Sequence, residues 1–107
     1  MEEQEAQFLY LTTTGRKTGR PHEIEIWFVA HEGRYYLVSE KREGADWVMN
    51  ILSEPAVTFR VGEESWQGKG RPVDRVVEGE LAAAVAAKME AKYEWSDGLI
   101  VELTPDL

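Results

Sequence analysis

Residues 22–39 read HEIEIWFVAHEGRYYLVS, and their pattern decides the fold. Ile24, Ile26 and Phe28 recur at every second position, with Glu23, Glu25, Trp27 and Val29 between them. A period of two is that of a pleated strand with one face in a core. Glu32 and Gly33 supply a tight turn and residues 34–39 run back, so the stretch predicts an antiparallel hairpin.

The flanks extend this reading. Residues 7–14, QFLYLTTT, are rich in β-branched and aromatic types, end at Gly15 and predict a first strand. Beyond the hairpin the period changes: Ala45, Val48, Met49 and Leu52 predict an amphipathic helix over residues 43–53, which Pro55 cannot continue. A strand over 56–61, a turn at 62–64 and a return strand over 65–73 follow. Gly68 and Gly70 make the return strand irregular, with a bulge expected. Ala-rich residues 78–93, with Leu81, Val85 and Met89 on one stripe, predict a second helix, and residues 99–103 a last strand ended by Pro105. Short connections require antiparallel pairing. The fold class is mainly β with two helices (α+β), a six-stranded antiparallel barrel forming a single domain over residues 1–107.

Composition excludes several classes of function. The chain has 107 residues, 12 Lys+Arg against 20 Asp+Glu, a net charge of −8, and no cysteine. It therefore holds no disulfide, thiolate nucleophile or iron–sulfur site. His22 and His31 stand apart from any run with metal-ligand spacing, so no metal site is expected. The net charge opposes binding to nucleic acid, which depends on Lys and Arg displacing counterions. Residues 1–5 are acidic without an apolar segment, and no apolar run approaches the ~18–20 residues of a membrane span. A soluble, cytoplasmic protein with no stable membrane insertion is expected.

The most unusual local feature is TTTGRKTGR, residues 12–20, which carries three positive charges and no acid in an acidic chain. It has two readings: an anion grip for phosphate or carboxylate, or a hairpin tip whose charges face water. Residue types alone favour the second. It is not a Walker loop, because the Gly-Lys-Ser/Thr spacing is missing and it joins two strands. A second basic cluster, Lys69, Arg71 and Arg75, either completes an anion site or guards an edge strand, the latter being the default. Trp47 and Asn50, three apart on one helical face, either border a planar ligand or close the barrel end. Trp27 marks a subunit contact or lies under a helix. No nucleophile–base pair is evident, so no catalytic side chain is assigned and any redox chemistry is expected to come from a bound cofactor.

YLTTTGRKTGRPHEIEIWFV followed by GRYYLVSEKREGADWVMNILSEPAVTFRVG resembles the deazaflavin-dependent nitroreductase family, among the flavin and deazaflavin oxidoreductases of split-barrel fold. The pieces are a Thr-Thr-Gly-Arg-Lys-Thr-Gly loop, a hairpin, a Trp-x-x-Asn helix and a Glu-Pro-x-Val strand, covering most of residues 9–62. The resemblance implies a six-stranded split β-barrel of the FMN-binding type that binds coenzyme F420, with FMN as the alternative. It assigns Arg16, Lys17 and Thr18 to the cofactor's phosphate-bearing tail. His22, Glu23 and Ile24 would run along the ring or ribityl chain, and Ser39, Lys41, Ala45, Trp47 and Asn50 would border the ring. It implies an oxidoreductase passing hydride to a small-molecule acceptor (quinone, nitro compound or enone), and a homodimer. The alternative is a non-catalytic carrier or sensor of a flavin, deazaflavin or other planar ligand. The chain departs from many relatives at Glu25, where they have Pro, and at residues 41–43, where they have Gly-Gly.

Overall fold

The computed structural model describes residues 6–106, so the acidic stretch 1–5 lies outside the described residues. Seven antiparallel strands form one curled sheet: β1 (Phe8–Thr14), β2 (Pro21–Trp27), β3 (Val29–His31), β4 (Arg34–Ser39), β5 (Ala56–Val61), β6 (Glu64–Val73) and β7 (Leu99–Pro105). Helix α1 (Asp46–Ser53), preceded by a single 3-10 turn at Arg42–Gly44, separates β4 from β5, and α2 (Gly79–Tyr93) separates β6 from β7. No helix among the described residues is long and apolar enough to cross a membrane.

The strand count differs from the expected six because the second predicted strand breaks at Phe28. The order in the sheet is β2-β1-β5-β6-β7-β4-β3, so its two edge strands, β2 and β3, are consecutive pieces of one chain. The chain runs along β1 as far as Trp27, crosses over at Phe28, and pairs with β4 from Val29. Phe28 ties the two edges together covalently and the sheet closes as a split barrel.

A strand break strands backbone polar groups in a buried place, and each costs free energy if left without a partner. Here the end of α2 supplies the partners. The Tyr93 hydroxyl accepts from the Phe28 N–H at 3.1 Å and lies 2.7 Å from the Gln7 carbonyl, to which it donates. The Lys92 ammonium donates to the carbonyls of Ala6 at 2.8 Å and Phe28 at 3.0 Å, and sits 3.8 Å above the Phe28 ring. Trp27, outward on β2, stacks on Tyr93 with ring centroids 4.4 Å apart, so the helix partly covers it.

Two apolar clusters flank the sheet. Inside the barrel, Leu9, Leu11, Phe28, Leu37, Val57, Phe59, Val101 and Leu103 pack together, and Val48 and Ile51 of α1 plug the open end. Outside, Ala82, Val85 and Met89 of α2 cover Val29, Tyr36, Val38, Val73 and Ile100. The stripe expected on α1 is rotated: Val48, Asn50 and Ile51 point inward, while Leu52 is 53% exposed. A helix lying across a barrel mouth buries the narrow wedge that enters it. β6 pairs one-to-one with both neighbours, without the expected bulge. Gly68 answers a close approach instead, since a Cβ there would collide with the Thr104 carbonyl.

The second basic cluster does not guard an edge, for β6 lies between β5 and β7. The Arg71 guanidinium donates to Glu102 at 2.9 Å and to both oxygens of Glu78, at 2.8 and 2.7 Å. Arg75 donates to the carbonyls of Gly98 and Ser96. Glu102, 2% exposed, also accepts from the Tyr36 hydroxyl at 2.8 Å and faces Arg34 at 3.4 Å. Burial by itself pushes the Glu102 carboxyl up, but the Tyr36 hydroxyl and Arg71 outweigh it and hold it below the usual carboxylate value. Burial and the Glu102 carboxylate push the Tyr36 phenol up to about 12.

Tyr93→Phe removes the acceptor of the Phe28 N–H and should cost about 1–3 kcal/mol in urea unfolding, with the denaturant slope unchanged. Because the Glu102 pKa is lowered on folding, its contribution is complete above a carboxylate's ordinary value of about 4.3 and is lost as pH falls through the lower folded value. Tyr36, raised on folding, contributes below about 10 and loses that contribution as pH rises through about 12. Stability measured by urea unfolding should therefore be flat near neutrality and fall on both sides. Glu102→Gln should flatten the acid limb and cost about 2 kcal/mol at pH 7, less than a fully buried pair because half-exposed Arg71 rehydrates.

Candidate functional site

The connection between β1 and β2 closes on itself before it meets anything else. The Gly15 N–H donates to the Arg20 carbonyl at 2.7 Å, and the Gly19 N–H to the Gly15 carbonyl at 2.8 Å. A Cβ at Gly15 would lie 2.7 Å from the His22 ring, so a larger residue there would have to push that ring aside. The Thr18 hydroxyl accepts from the Arg20 N–H at 3.2 Å, and Lys17 and Thr18 are exposed at the tip.

Arg16 behaves differently. Its guanidinium turns back onto α1, donating to Asn50 Oδ1 at 2.8 Å and to Asp46 Oδ1 at 3.1 Å. The Arg16 backbone N–H also reaches Asn50 Oδ1, at 3.2 Å. Asn50 is 4% exposed, and its Nδ2 donates to the Thr13 hydroxyl at 3.1 Å. One amide thus clips the end of β1, the basic loop and α1 together. The loop is not a tip with all its charges in water: Arg16 is docked, while Lys17 is exposed.

The docked loop leaves a cavity of about 470 Å³ between itself, the start of β2 and α1. Arg16, Lys17, Thr18, His22, Glu23, Ile24, Trp47 and Asn50 all line it. Three other expected residues, Ser39, Lys41 and Ala45, line a neighbouring cavity of about 360 Å³ that shares Asp46 and Trp47 with the first. Trp47 is the wall between them. Lys69, Arg71 and Arg75 line neither, so they do not complete the basic loop.

The second cavity lies where the barrel splits. The β3–β4 register, continued through Phe28, would set Trp27 opposite Val38, but β2 has already turned away to β1. Residues 37–39 of β4 consequently have no strand partner on that side among the described residues. Ile26 and Val38 both line this cavity, and both also line a third hollow of about 490 Å³ with Phe8, Glu25, Trp27, Glu40 and Trp95. Glu25 accepts from the Tyr10 hydroxyl at 2.6 Å, and that bond raises the phenol's pKa.

Thr13, Gly15 and Asp46 also line the main cavity without having been expected there. Asp46 stands one turn before Asn50, a spacing that puts both on the face that meets Arg16. The aromatic hollow gave no sequence signal, because Trp27 and Trp95 are 68 positions apart.

Chemically, the main cavity offers cationic and hydroxyl donors beside a flat indole, and beyond the indole the second cavity is lined by both apolar and polar side chains. This suits an elongated ligand with an anionic tail and a planar head. The sequence profile of the F420H(2)-dependent quinone reductase family matches residues 2–97. Among solved structures, the heme storage protein HutZ from Vibrio cholerae superposes with TM-score 0.77 at 20% identity, covering 95% of this chain and 83% of its own. An F420-H2 dependent reductase, FDR-A, gives 0.65 at 19% identity, covering 96% and 98%. A third, described as a domain-swapped dimer, gives 0.66 at 19% identity, covering 96% and 84%.

Asn50→Ala should cost about 1–3 kcal/mol by leaving buried donors and acceptors unpaired. Hydrogen exchange should quicken at the amides of residues 15–19, with little change in the barrel strands.

Proposed function

Because the chain belongs to the F420H(2)-dependent quinone reductase family, we propose that it is an oxidoreductase that holds coenzyme F420 in the cleft between the basic loop and α1. The reaction is hydride transfer to a small-molecule acceptor, a quinone, nitro compound or enone. The observation that carries this reading is the docking of Arg16 onto Asn50, which sets the cationic loop and Trp47 on one continuous cavity.

The donor set fits such a group. Lys17 and the Thr18 hydroxyl offer a point charge and a donor to phosphate or carboxylate oxygens, and Arg16 adds part of a guanidinium fork. Trp47 gives a planar surface, with Ala45 small enough to leave room beside it. His22, Glu23 and Ile24 form the wall opposite, and Ser39 and Lys41 edge the second cavity. The cofactor supplies the hydride. The chain binds, orients and keeps water from the cleft, and none of its side chains is asked to act as an acid or base. FMN is the alternative occupant, since it too pairs a phosphate tail with a three-ring head. A homodimer of one-domain chains is part of the proposal, supported by the swapped dimer among the structural relatives.

A second reading keeps the site and drops the turnover: a carrier or sensor of a planar ligand. The likeness to a heme storage protein favours it. Fluorescence titration of the full chain with F420 and FMN, followed by turnover of reduced cofactor against quinones and nitroaromatics, separates the two. Tight F420 binding with acceptor-dependent oxidation is expected; tight binding without oxidation by any acceptor would favour the carrier. Arg16→Ala with Lys17→Ala should weaken F420 binding about tenfold or more, at the scale of one or two charge-assisted hydrogen bonds. Trp47→Ala should weaken ring binding and change its fluorescence; equal affinity in both variants would remove the cofactor from this cleft.

A further inference from the structure

The Arg16 fork is already occupied. One terminal nitrogen donates to Asn50 Oδ1 at 2.8 Å and lies 3.4 Å from the Asp46 carbonyl; the other donates to Asp46 Oδ1 at 3.1 Å. The two acceptors differ in kind. Asn50 is neutral, buried and bonded on its other side to Thr13, so it is a fixed part of the frame. Asp46 carries a formal negative charge, its side chain is 86% exposed, and it lines the cavity. An exposed ion pair of this kind is easily broken, so Asp46 is a displaceable occupant.

The charge around the cavity points the same way. Arg16 and Lys17 face it from the loop, but Glu23 faces it from β2 and Asp46 from α1, so the formal charges of these four cancel. A cleft built to draw in a heavily charged tail would not carry two carboxylates of its own. We infer that Asp46 is a specificity-determining residue: its carboxylate stands on Arg16 where a ligand's anionic group docks, and it limits the negative charge that a bound ligand's tail can carry. This rests on the proposed binding of F420 or FMN in the same cleft. It goes further in saying that the site selects for a short, weakly charged tail over a long polyanionic one.

Asp46→Asn is the informative change, because the amide keeps an oxygen to accept from Arg16 and removes only the charge. Wild type and variant are titrated by fluorescence with one ring carrying three tails: the uncharged ribityl deazaflavin, its monophosphate, and F420 with several glutamates. Equal melting temperatures within a few degrees confirm that the fold is intact. A charge a few ångströms away in water changes affinity about fivefold per unit charge, falling with distance. The variant should match wild type on the uncharged ring within about twofold, and bind the longest tail about fivefold or more tightly. The gain should shrink in high salt. Glu23→Gln neutralises a second lining carboxylate that is not bonded to Arg16, and should give a smaller gain. No gain on the charged tails, the same gain on the uncharged ring, or an equal gain from Glu23→Gln would each overturn the inference. Should neither protein bind any ring, the reading of the cleft as a deazaflavin site falls. Calorimetric titration with inorganic pyrophosphate then decides the role of Asp46, tighter binding by the variant supporting it and equal binding overturning it.

Discussion

A curled antiparallel sheet has two edges, and each presents a row of N–H and C=O groups that must be paired, covered or wetted. Here both edges belong to one stretch of chain, and the crossing from one to the other takes place within the single residue Phe28. The crossing closes the barrel and also opens it. Once β2 has left for β1, the end of β4 loses a neighbour and a gap remains between Ile26 and Val38. The second cavity is thus a consequence of closing the sheet in this way, placed at the split by topology, while the main cavity beside it is formed by the basic loop, the start of β2 and α1.

The break is tolerable because α2 arrives with the right side chains. Tyr93 and Lys92 satisfy the amide and carbonyls that Phe28 and its neighbours leave over, and the helix buries Val85 and Met89 against the outside of the barrel as it does so. At its other end, Glu78 grips Arg71, which in turn reaches the buried Glu102. The helix is thus anchored by polar contacts at both ends and apolar contacts along its middle. This explains why a carboxylate can sit almost fully buried on β7: Tyr36 and Arg71 between them return most of the hydration it gave up.

Much of this was legible in the sequence. The Glu32-Gly33 turn gave the short hairpin of β3 and β4, the alternation from Ile24 marked a strand that pairs with β1 rather than with residues 34–39, and the Thr-rich strand with its basic bend gave the loop that borders the main cavity. What escaped reading was set by contacts between distant residues. Nothing local distinguishes Phe28 from Ile26, so the break was invisible; it follows from Tyr93, 65 positions on. The α1 stripe was rotated because a count of apolar positions cannot see that Asn50 is bonded to Thr13 and Arg16, and so belongs inside. Arg71 looked like an edge charge because neither β7 nor Glu102 can be placed beside it from sequence alone. In the site itself, residue types marked Trp47 and Asn50, but only the fold divides the eleven expected residues between two cavities with Trp47 as their common wall.

The Asn50 amide has the largest consequence for the geometry of the cleft. Asn50 bonds Thr13 on β1, the backbone and the side chain of Arg16 on the loop, and stands on the helix that plugs the barrel. A loop held in this way has already lost most of its freedom, so a ligand bound there would not have to order it. Since Val48 and Ile51 of that helix are part of the interior core, the geometry of the cleft is tied to the packing of the barrel. A substitution that loosens the plug should therefore move Arg16 and Trp47 together. The loop, the indole wall and the core behind them form one mechanical unit, with the Asp46 carboxylate an exposed contact at its rim.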